Sequence, residues 1–433
     1  MKRRAWQLFL ILSFFTFSVL IAGCGDDDDD DDNDAAPTDD DASDDDASDD
    51  DDTLDDDDTT DDDTGDDDTL DDDTTDDDTL DDDTGDDDTL DDDTGDDDTS
   101  VPEGCIEGEY DPYWGNLHAH TGYSDGDLTP ADAFEHARDA AGLDIQLITD
   151  HLEQLYLPFP TINKWGKCKD QADDYYVPGE YLTDCGYEYG SGFILPLFLS
   201  TGHNNVFFAE DLMPIVQLDF HNFYDSLVEC EQCIGQFNHP LDDPYQHWSH
   251  YEYYEDVDQR MNLMEFNGTD YAWESFFEAL DAGWHVSPMY NQDNHSADWG
   301  TKNDRRSGLY MAELTREEMR NTMLDRRTFM SYDKNASIKM MAQDVCWMGS
   351  ILSGLESVTL YVEAFDLDEG DAFTAIELYG PEAAYLGQID CTAKTICTGT
   401  FDEIAVTEAS FFVAKAIQAD GDWLVAAPIW VTP

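Results

Sequence analysis

Positive charge is scarce in this chain of 433 residues, which has 19 lysines and arginines against 104 aspartates and glutamates. The formal net charge is -85 at pH 7. Acidity of this degree repels the phosphate backbone of nucleic acids, so the composition argues against a nucleic-acid partner. Histidine is absent outside one stretch, because all eleven histidines lie between His118 and His295. Chemistry that uses imidazole is therefore confined to that stretch.

The first 24 residues have the pattern of a secretory signal peptide. Basic residues at Lys2, Arg3 and Arg4 precede an apolar run to about Ala22, and small residues end the segment at Cys24. The final Leu-Ile-Ala-Gly-Cys string resembles a bacterial lipobox, which predicts a lipidated Cys24 and an exported protein of the cell envelope, tethered to a membrane. An uncleaved transmembrane anchor is the alternative, since the apolar run is nearly long enough to span a bilayer.

Residues 25–100 lack the apolar side chains that a core requires. They contain 46 aspartates and no lysine or arginine, and from Asp56 onward DDDT plus one variable residue occurs nine times. This composition predicts a disordered, self-repelling linker that holds the following domain away from the membrane. A calcium sink is the alternative, although the repeat lacks the glycine-containing ligand loop of a shaped calcium site.

Cysteine usage agrees with export. If Cys24 is lipidated, eight of the nine cysteines remain, and an even number favours disulfides in an exported protein. The eight are Cys105, Cys168, Cys185, Cys230, Cys233, Cys346, Cys391 and Cys397. Cys391 with Cys397 and Cys230 with Cys233 are plausible local pairs, but spacing alone leaves the connectivity open. Cys230-x-x-Cys233 also fits a redox or zinc motif, which is less favoured because no second such pair exists.

The string NLHAHTGYSDGD places His118 and His120 two residues apart on a predicted strand. Side chains at this spacing point to the same face, so the two imidazoles form half of a metal site. Further polar groups follow other apolar, strand-like runs, namely Asp125, His151, His239, Asp293 and His295. Barrels of alternating strands and helices place catalytic groups at these strand ends, so the pattern predicts one shared site.

Local signals predict an α/β domain over residues 105–335. Thr129 and Pro130 open a helix before the strand Ile145–Ile148, and two similar helix and strand pairs recur later. Thr315 and Glu318 predict a capping box at the start of another helix. Alternating strands and helices indicate a parallel sheet closed into a barrel. Over residues 336–433 the periodicity is that of strands, including 358–362, 375–379, 411–417 and 423–431, which predicts a small β-sandwich.

Seven strings in this stretch resemble the PHP family, named for polymerase and histidinol phosphatase, and within it the CehA/McbA branch of metallohydrolases. The strings are LHAHTGYSDGDLTP, ITDH, GHNNVFF, QFNHP, ALDAGWHVSPMYNQDNHSADWG, LTREE with DRRTF, and APIWV. The resemblance covers nearly all of residues 110–433. It implies a distorted (β/α)7 barrel, with two or three divalent metal ions at the carboxyl ends of its strands, followed by the C-terminal sandwich.

The resemblance also implies a set of metal ligands. His118, His120, Glu188 and Asp293 match the ligands of one ion, and Glu188 bridges to a second ion held by His203 and His239. A third set is Asp125, His151 and His295, with Asp125 where some members have histidine. Glu180, in a competing Gly-Glu string, is the alternative to Glu188. Imidazole and carboxylate ligands suit zinc, manganese or iron.

The implied reaction is hydrolysis of a small-molecule phosphoester by a hydroxide held between two metal ions. The first alternative is a carbamate, ester or amide hydrolase, and the second is a non-catalytic cell-surface binding protein. Arg305 and Arg306 are candidates to bind a substrate phosphate or carboxylate, or else to form surface salt bridges. The remaining histidines are His136, His221 and His285, interpreted as structural, and His247 and His250, which either line the substrate mouth or pack.

Overall fold

A computed structural model of the protein describes most of the chain after residue 100. The described ranges are 101–156, 163–190, 202–214, 220–240 and 248–433. The predicted signal peptide with Cys24, the predicted linker over 25–100, and His247 lie outside these ranges. None of the helices in the described ranges combines the length and the apolar character that crossing a membrane requires.

The first part of the described chain alternates strands with helices. Its strands are β1 (Asp111–Asn116), β2 (Ile145–Ile148), β3 (Leu182–Cys185), β4 (Tyr187–Gly190), β5 (His203–Phe207), β6 (Ile234–Phe237), β7 (Met261–Phe266), β8 (Ser287–Tyr290), β9 (Arg306–Met311) and β10 (Thr328–Ser331). Its helices are α1 (Pro130–Asp139), α2 (Leu152–Leu155), α3 (Lys164–Tyr175), α4 (Phe220–Glu229), α5 (Trp248–Tyr251), α6 (Glu255–Asp258), α7 (Asp270–Ala282) and α8 (Arg316–Leu324).

These strands pair in two sheets. In one, β1, β2 and β3 are parallel, and β9 and β10 extend the sheet antiparallel on the other side of β1. In the other, β4, β5 and β6 pair antiparallel and β6, β7 and β8 pair parallel. Only Gly186 separates β3 from β4, so the chain passes directly from one sheet to the other. The predicted α/β class is confirmed, with a sheet that is mixed rather than all parallel.

The capping residues predicted from the sequence lie at the starts of α1 and α8, but at α8 the glutamate side chain has a different partner. At α1, Thr129 and Asp132 form a reciprocal capping box, with Pro130 at the first helical position. At α8, Thr315 accepts the backbone N–H of Glu318, but the reciprocal half of the predicted box is missing. The Glu318 carboxylate instead accepts a hydrogen bond of 2.9 Å from buried Arg327. A buried guanidinium requires a charged partner more than an exposed helix end requires a second cap.

The C-terminal part consists of strands and one short 3-10 helix (Pro381–Ala383). The strands are β11 (Ser337–Ala342), β12 (Cys346–Trp347), β13 (Ile351–Leu352), β14 (Ser357–Phe365), β15 (Phe373–Gly380), β16 (Ala384–Lys394), β17 (Ile396–Ala405), β18 (Ser410–Gln418), β19 (Trp423–Ala426) and β20 (Ile429–Val431). The predicted single strand over 423–431 is wrong, because it divides at Ala427-Pro428, where proline offers no N–H to a ladder.

Two sheets in this part share one apolar core, as a sandwich requires. The first consists of β12, β11, β14 and β17, and contributes buried Ile338, Met340 and Val362. The second includes β15, β18 and β19, and contributes buried Ile376 and Leu424 to the same core. This second sheet continues into the first part of the chain, because β19 pairs antiparallel with β10. The C-terminal strands and the α/β region therefore share a continuous sheet.

All eight cysteines in the described ranges form disulfides. The local pairs Cys230–Cys233 and Cys391–Cys397 are confirmed. The other two, Cys105–Cys346 and Cys168–Cys185, could not be read from spacing, since they join residues that only the fold brings together. Cys105–Cys346 connects the segment before β1 to β12, so it joins the start of the α/β region to the C-terminal strands.

Candidate metal centre

The two histidines of the NLHAHTGYSDGD string lie just beyond β1, which ends at Asn116. The prediction that they sit within the strand is therefore wrong. The His118 carbonyl accepts the N–H of Asp293 and the His120 N–H donates to the Asn294 carbonyl, so this segment forms an isolated parallel bridge, Ala119 with Asn294, in place of a continuous strand. Their predicted common face is confirmed, because both rings are fully buried and their Nε2 atoms lie 3.2 Å apart.

Glu188, in β4, is the central carboxylate of the cluster and is 1% exposed. Five histidines from different segments surround it. The contacts are His118 Nε2 at 3.5 Å, His120 Nε2 at 3.3 Å, His151 Nδ1 at 3.0 Å, His203 Nδ1 at 3.0 Å and His239 Nε2 at 3.1 Å. Glu180, the competing candidate, lies exposed in the turn before β3. The geometry favours Glu188 in the role that the resemblance assigns.

Asp293 lies after β8 and completes the first group. Its Oδ1 is 3.2 Å from His118 Nε2 and 3.1 Å from His120 Nε2. Asp293 has a φ of 45° and His239 a φ of 30°, which are costly conformations for residues other than glycine. Strained backbone of this kind concentrates at functional sites, where the surrounding structure imposes it.

The third group lies at the exposed rim of the cluster. Asp125 is 3.4 Å from His151 Nε2 and 3.5 Å from His295 Nε2, and the rings of His120 and His295 stack at 4.3 Å between centroids. Both Asp125 and His295 are more than two-fifths exposed. The structure thus brings the nine side chains predicted as ligands close together. Three groups of them have ligand atoms close enough for one ion, namely His118, His120 and Asp293; His118, Glu188 and His239; and His120, Asp125, His151 and His295. These groups overlap with the implied division but differ from it, because His118 and His120 each belong to two groups and His203 to none.

The electrostatics of the cluster are those of tightly paired opposite charges. Burial alone lowers the pKa of His118, but the carboxylates of Glu265, Asp293 and Glu188 raise it well above its usual value. Burial alone raises the pKa of Glu188, but His203, His118 and His151 bring it well below its usual value. The groups therefore favour a concentrated positive charge at their centre, in the form of protons or of a cation.

The donor atoms fit divalent ions of the zinc, manganese or iron type. Two nitrogen ligands at about 2.1 Å from one tetrahedral ion are about 3.4 Å apart, close to the 3.2 Å between the Nε2 atoms of His118 and His120. Asp293 Oδ1 and His151 Nδ1 are buried and, among the described residues, make no hydrogen bond of good geometry. Unsatisfied buried atoms beside other candidate ligands are those that an ion would coordinate.

A second layer of carboxylates supports the ligands and was missed from the sequence. Glu265, in β7, is 1% exposed, lies 3.1 Å from His118 Nδ1 and accepts the backbone N–H of His239 at 2.8 Å. Asp150 accepts from the Ser124 hydroxyl at 2.5 Å, and that hydroxyl lies 3.1 Å from His120 Nδ1. Carboxylates behind ligating histidines fix ring orientation and tautomer. A glutamate within the apolar run MNLMEF was the available signal for Glu265.

The two candidate arginines have different environments. Arg306 is 3% exposed and donates to the backbone carbonyls of Gly300, Asn303 and Arg305, so the prediction that it binds substrate gives way to a structural role in this loop. Arg305 is half-buried, 4.3 Å from the centre of the Tyr332 ring, and donates to the Tyr290 hydroxyl at 2.9 Å.

Arg305 lies at the edge of the sheet where β7 and β8 end. A Cβ atom added to Gly268, just after β7, would lie 2.6 Å from Arg305 Nη1, so this glycine makes room for the guanidinium. Tyr290, its hydrogen-bond partner, is the last residue of β8 and precedes Asp293 by three positions. Arg305 therefore contacts residues at the ends of β7 and β8, close in sequence to Asp293.

The other histidines have partners outside the cluster. His136 contacts Thr301, His221 contacts Tyr254 and His285 contacts Asp258, each with ring nitrogens within 2.9 Å of the partner oxygen. His250 is 75% exposed and lies 3.0 Å from Glu278. These contacts agree with the structural interpretation of His136, His221 and His285.

Comparisons with known proteins give similarity at the level of whole structures. No family model and no curated protein sequence matches this chain. A crystal structure of a two-domain protein from Bacteroides vulgatus, containing a predicted PHP-like metal-dependent phosphoesterase, is 17% identical, with 77% of this chain and 99% of that chain covered and a TM-score of 0.43. The lesion-specific endonuclease PfuEndoQ from Pyrococcus furiosus is 13% identical, with coverage of 61% and 62% and a TM-score of 0.34. At this level of similarity, function has to be argued from the residues of the site.

Proposed function

We propose that this protein is a metal-dependent phosphoesterase that acts on a small molecule. The observation that carries the proposal is the convergence of five histidines on the buried carboxylate of Glu188, with Asp293 against two of them. A set of this size has no purpose in a binding module that lacks metals, because it places like donor atoms in close contact. This argues against the non-catalytic alternative.

The ligands divide into three positions for two or three ions of zinc, manganese or iron. His118, His120, Glu188 and Asp293 would hold the first, and Glu188, His203 and His239 the second. Asp125, His151 and His295 would hold the third, in the exposed part of the cluster. Bound ions of this kind activate water at neutral pH and neutralise charge that develops on phosphoryl oxygens.

The chain's own residues orient the centre and select the substrate. Glu265 holds the Nδ1 side of His118, so that Nε2 points at the other ligands. Asp150 positions Ser124 against His120 in the same way. Arg305 provides positive charge at the rim of a site otherwise rich in carboxylates, which favours an anionic phosphoester over a neutral carbamate or ester.

The finer assignments belong to the same proposal. The two sheets of the α/β region are the halves of a distorted (β/α)7 barrel, and the chain is a member of the CehA/McbA branch of the PHP superfamily. Residues 1–24 direct export, Cys24 carries the lipid that tethers the protein to a membrane of the cell envelope, and residues 25–100 act as the spacer. The seven sequence strings and the lipobox-like end of the signal support these statements.

The test compares aryl phosphate, aryl phosphodiester and aryl carbamate substrates that release one chromophore. The full chain is loaded with manganese or zinc, and His120→Ala is compared with His221→Ala, which removes an exposed histidine outside the cluster. We expect turnover of a phosphate substrate that His120→Ala abolishes and His221→Ala retains. Turnover of the carbamate alone would replace the proposal with C–N or C–O bond hydrolysis, and no turnover of any substrate would contradict both.

A further inference from the structure

A second group of acidic side chains lies in the part of the chain that has no histidine. Asp333, between β10 and β11, and Asp366 and Asp371, between β14 and β15, have carboxylate oxygens within 4.8 Å of one another. Asp366 is 1% exposed and Asp333 8% exposed. Like charges at this separation repel, and burial strengthens the repulsion because water no longer screens it.

Neutral donors make the hydrogen bonds to the two buried carboxylates. Asp333 accepts the backbone N–H groups of Asn335 and Ala336, at 2.8 and 3.1 Å. Asp366 accepts the backbone N–H of Asp368 at 2.6 Å. Within the described ranges, no lysine or arginine forms an ion pair with Asp333, Asp366 or Asp371. The buried Arg306 attracts Asp333 and the exposed Lys334 attracts Asp371, both from beyond ion-pair distance.

An independent observation points to a ligand at this place. Gln418 is 2% exposed and donates through Nε2 to Asp366 Oδ2 at 2.6 Å. Its Oε1 is buried and has no hydrogen-bond partner within the described ranges. Since both atoms belong to one planar amide, this oxygen lies beside the Asp366 carboxylate. An unsatisfied buried acceptor destabilises a fold, and a bound cation beside it would remove that cost.

A second unsatisfied amide oxygen belongs to Asn335, whose backbone N–H donates to Asp333. Asn335 Oδ1 is also buried with no hydrogen-bond partner in the described part of the chain, while its Nδ2 faces Asp368 at 3.4 Å. Among the described residues, the two amide oxygens lack a hydrogen-bond donor, and the three carboxylates lack an ion-paired cation. Both deficits are removed by a bound positive charge. A metal ion with an affinity for oxygen satisfies both at once.

We propose that Asp333, Asp366 and Asp371, together with the amide oxygens of Gln418 and Asn335, form a calcium site. Its side-chain ligands are all oxygens, which exclude the softer ions that nitrogen donors attract. Calcium takes about six to eight oxygen ligands in irregular geometry, whereas magnesium requires a near-ideal octahedron. The proposed ligands come from two connections and from the end of β18. Such a scattered set suits calcium, whose geometric requirements are less strict than those of magnesium.

The position of this calcium site gives the ion a role in joining the two parts of the protein. Asp333 follows β10 by two residues, and β10 pairs with β9 on one side and with β19 on the other. Gln418 ends β18, at the hairpin that leads to β19. Calcium at this point would stabilise the junction where the sandwich strands join the α/β sheet. It would also hold Tyr332, which packs against Arg305 at the rim of the metal centre.

The first test uses terbium, which replaces calcium and emits when a nearby aromatic side chain transfers energy to it. The full chain, with its metal centre already filled with zinc, is titrated with Tb³⁺ under excitation of tryptophan. Trp423 and Tyr332 adjoin the calcium site, whereas residues 25–100 contain no aromatic residue, so ions bound to the acidic tract stay dark. We expect emission that CaCl2 displaces and that Asp366→Asn abolishes. Emission that is absent, or that is unchanged in Asp366→Asn, would overturn the proposal.

The second test measures the thermal unfolding midpoint with and without about 1 mM CaCl2, a concentration at which extracellular calcium sites fill. Asp402→Asn, which makes the same chemical change at an exposed position in β17, is the matched control. Calcium should raise the midpoint of the wild type and of Asp402→Asn by a few degrees and leave Asp366→Asn unchanged. Without calcium, Asp366→Asn should unfold no earlier than the wild type, because it lacks a buried charge. Equal destabilisation of Asp366→Asn with and without calcium would make Asp366 an ordinary structural carboxylate.

Discussion

Around Glu188 the candidate ligand atoms are a mixture of imidazole nitrogens and carboxylate oxygens, whereas around Asp366 they are oxygens alone. Both groups centre on a buried carboxylate, and both lie at or next to the ends of strands. The difference in donor type separates a centre for zinc, manganese or iron from a site for calcium. Histidine is confined to His118–His295, so on the proposals made above its distribution separates a catalytic region from a region that uses metal for stability.

The largest effect is expected when the central carboxylate of the metal centre is removed. Glu188→Gln should lower kcat about 10³-fold or more and reduce the number of bound zinc or manganese ions, because five histidines lose their common charged partner. Activity and metal content by mass spectrometry measure both effects. Glu180→Gln changes the competing, exposed glutamate and should alter neither. Equal behaviour of the two variants would show that Glu188 is not the bridging ligand.

The second prediction concerns the covalent link between the two regions. The Cys105–Cys346 disulfide closes a loop of 241 residues and Cys391–Cys397 closes one of 6. In the chain-entropy model, loss of the long loop costs about 3 kcal/mol more free energy of unfolding than loss of the short one. Denaturant unfolding of the two double Cys→Ser variants tests this. A larger loss for the short loop would mean that local strain, rather than loop entropy, sets the contribution.

The third prediction concerns Glu265, which contacts the candidate ligand His118 and would not contact the ion itself. Glu265→Gln should weaken metal affinity and activity by about 10–100-fold, since His118 loses the carboxylate that orients it. A competitive chelator measures the affinity, and added metal should restore most of the activity. Glu255→Gln, at an exposed position in α6, is the control. Unchanged affinity in Glu265→Gln would exclude this positioning role.

The smallest effect is expected at the rim. Arg305→Met should raise KM for a phosphate ester about tenfold with little change in kcat, because the guanidinium meets the substrate's charge outside the reacting centre. Arg306→Met, which removes three hydrogen bonds to backbone carbonyls, should instead lower the unfolding midpoint. Steady-state kinetics and thermal unfolding separate the two. A change in stability without a change in KM for Arg305→Met would make both arginines structural.

The sequence located most of the candidate ligands because they follow apolar runs, and strand ends are where such side chains meet. Glu188 and His203 came from the family resemblance alone. The sequence favoured Glu188 over Glu180 because Glu188 ends a short strand-like run, but only the fold brings Glu188 to the histidines. Glu265 was missed because a glutamate within a buried strand has no fixed spacing to the histidine that it supports. The pairing of β10 with β19 and the bond from Cys105 to Cys346 were also inaccessible, because neither has a local signal.

The most direct test of the central claim is anomalous diffraction from crystals of the zinc- or manganese-loaded protein, collected on both sides of the absorption edge of the metal. The expected result is two or three anomalous peaks within the nine side chains around Glu188, and none between Asp333, Asp366 and Asp371. Absence of any peak around Glu188 in metal-replete crystals would contradict the assignment of this cluster as a metal centre.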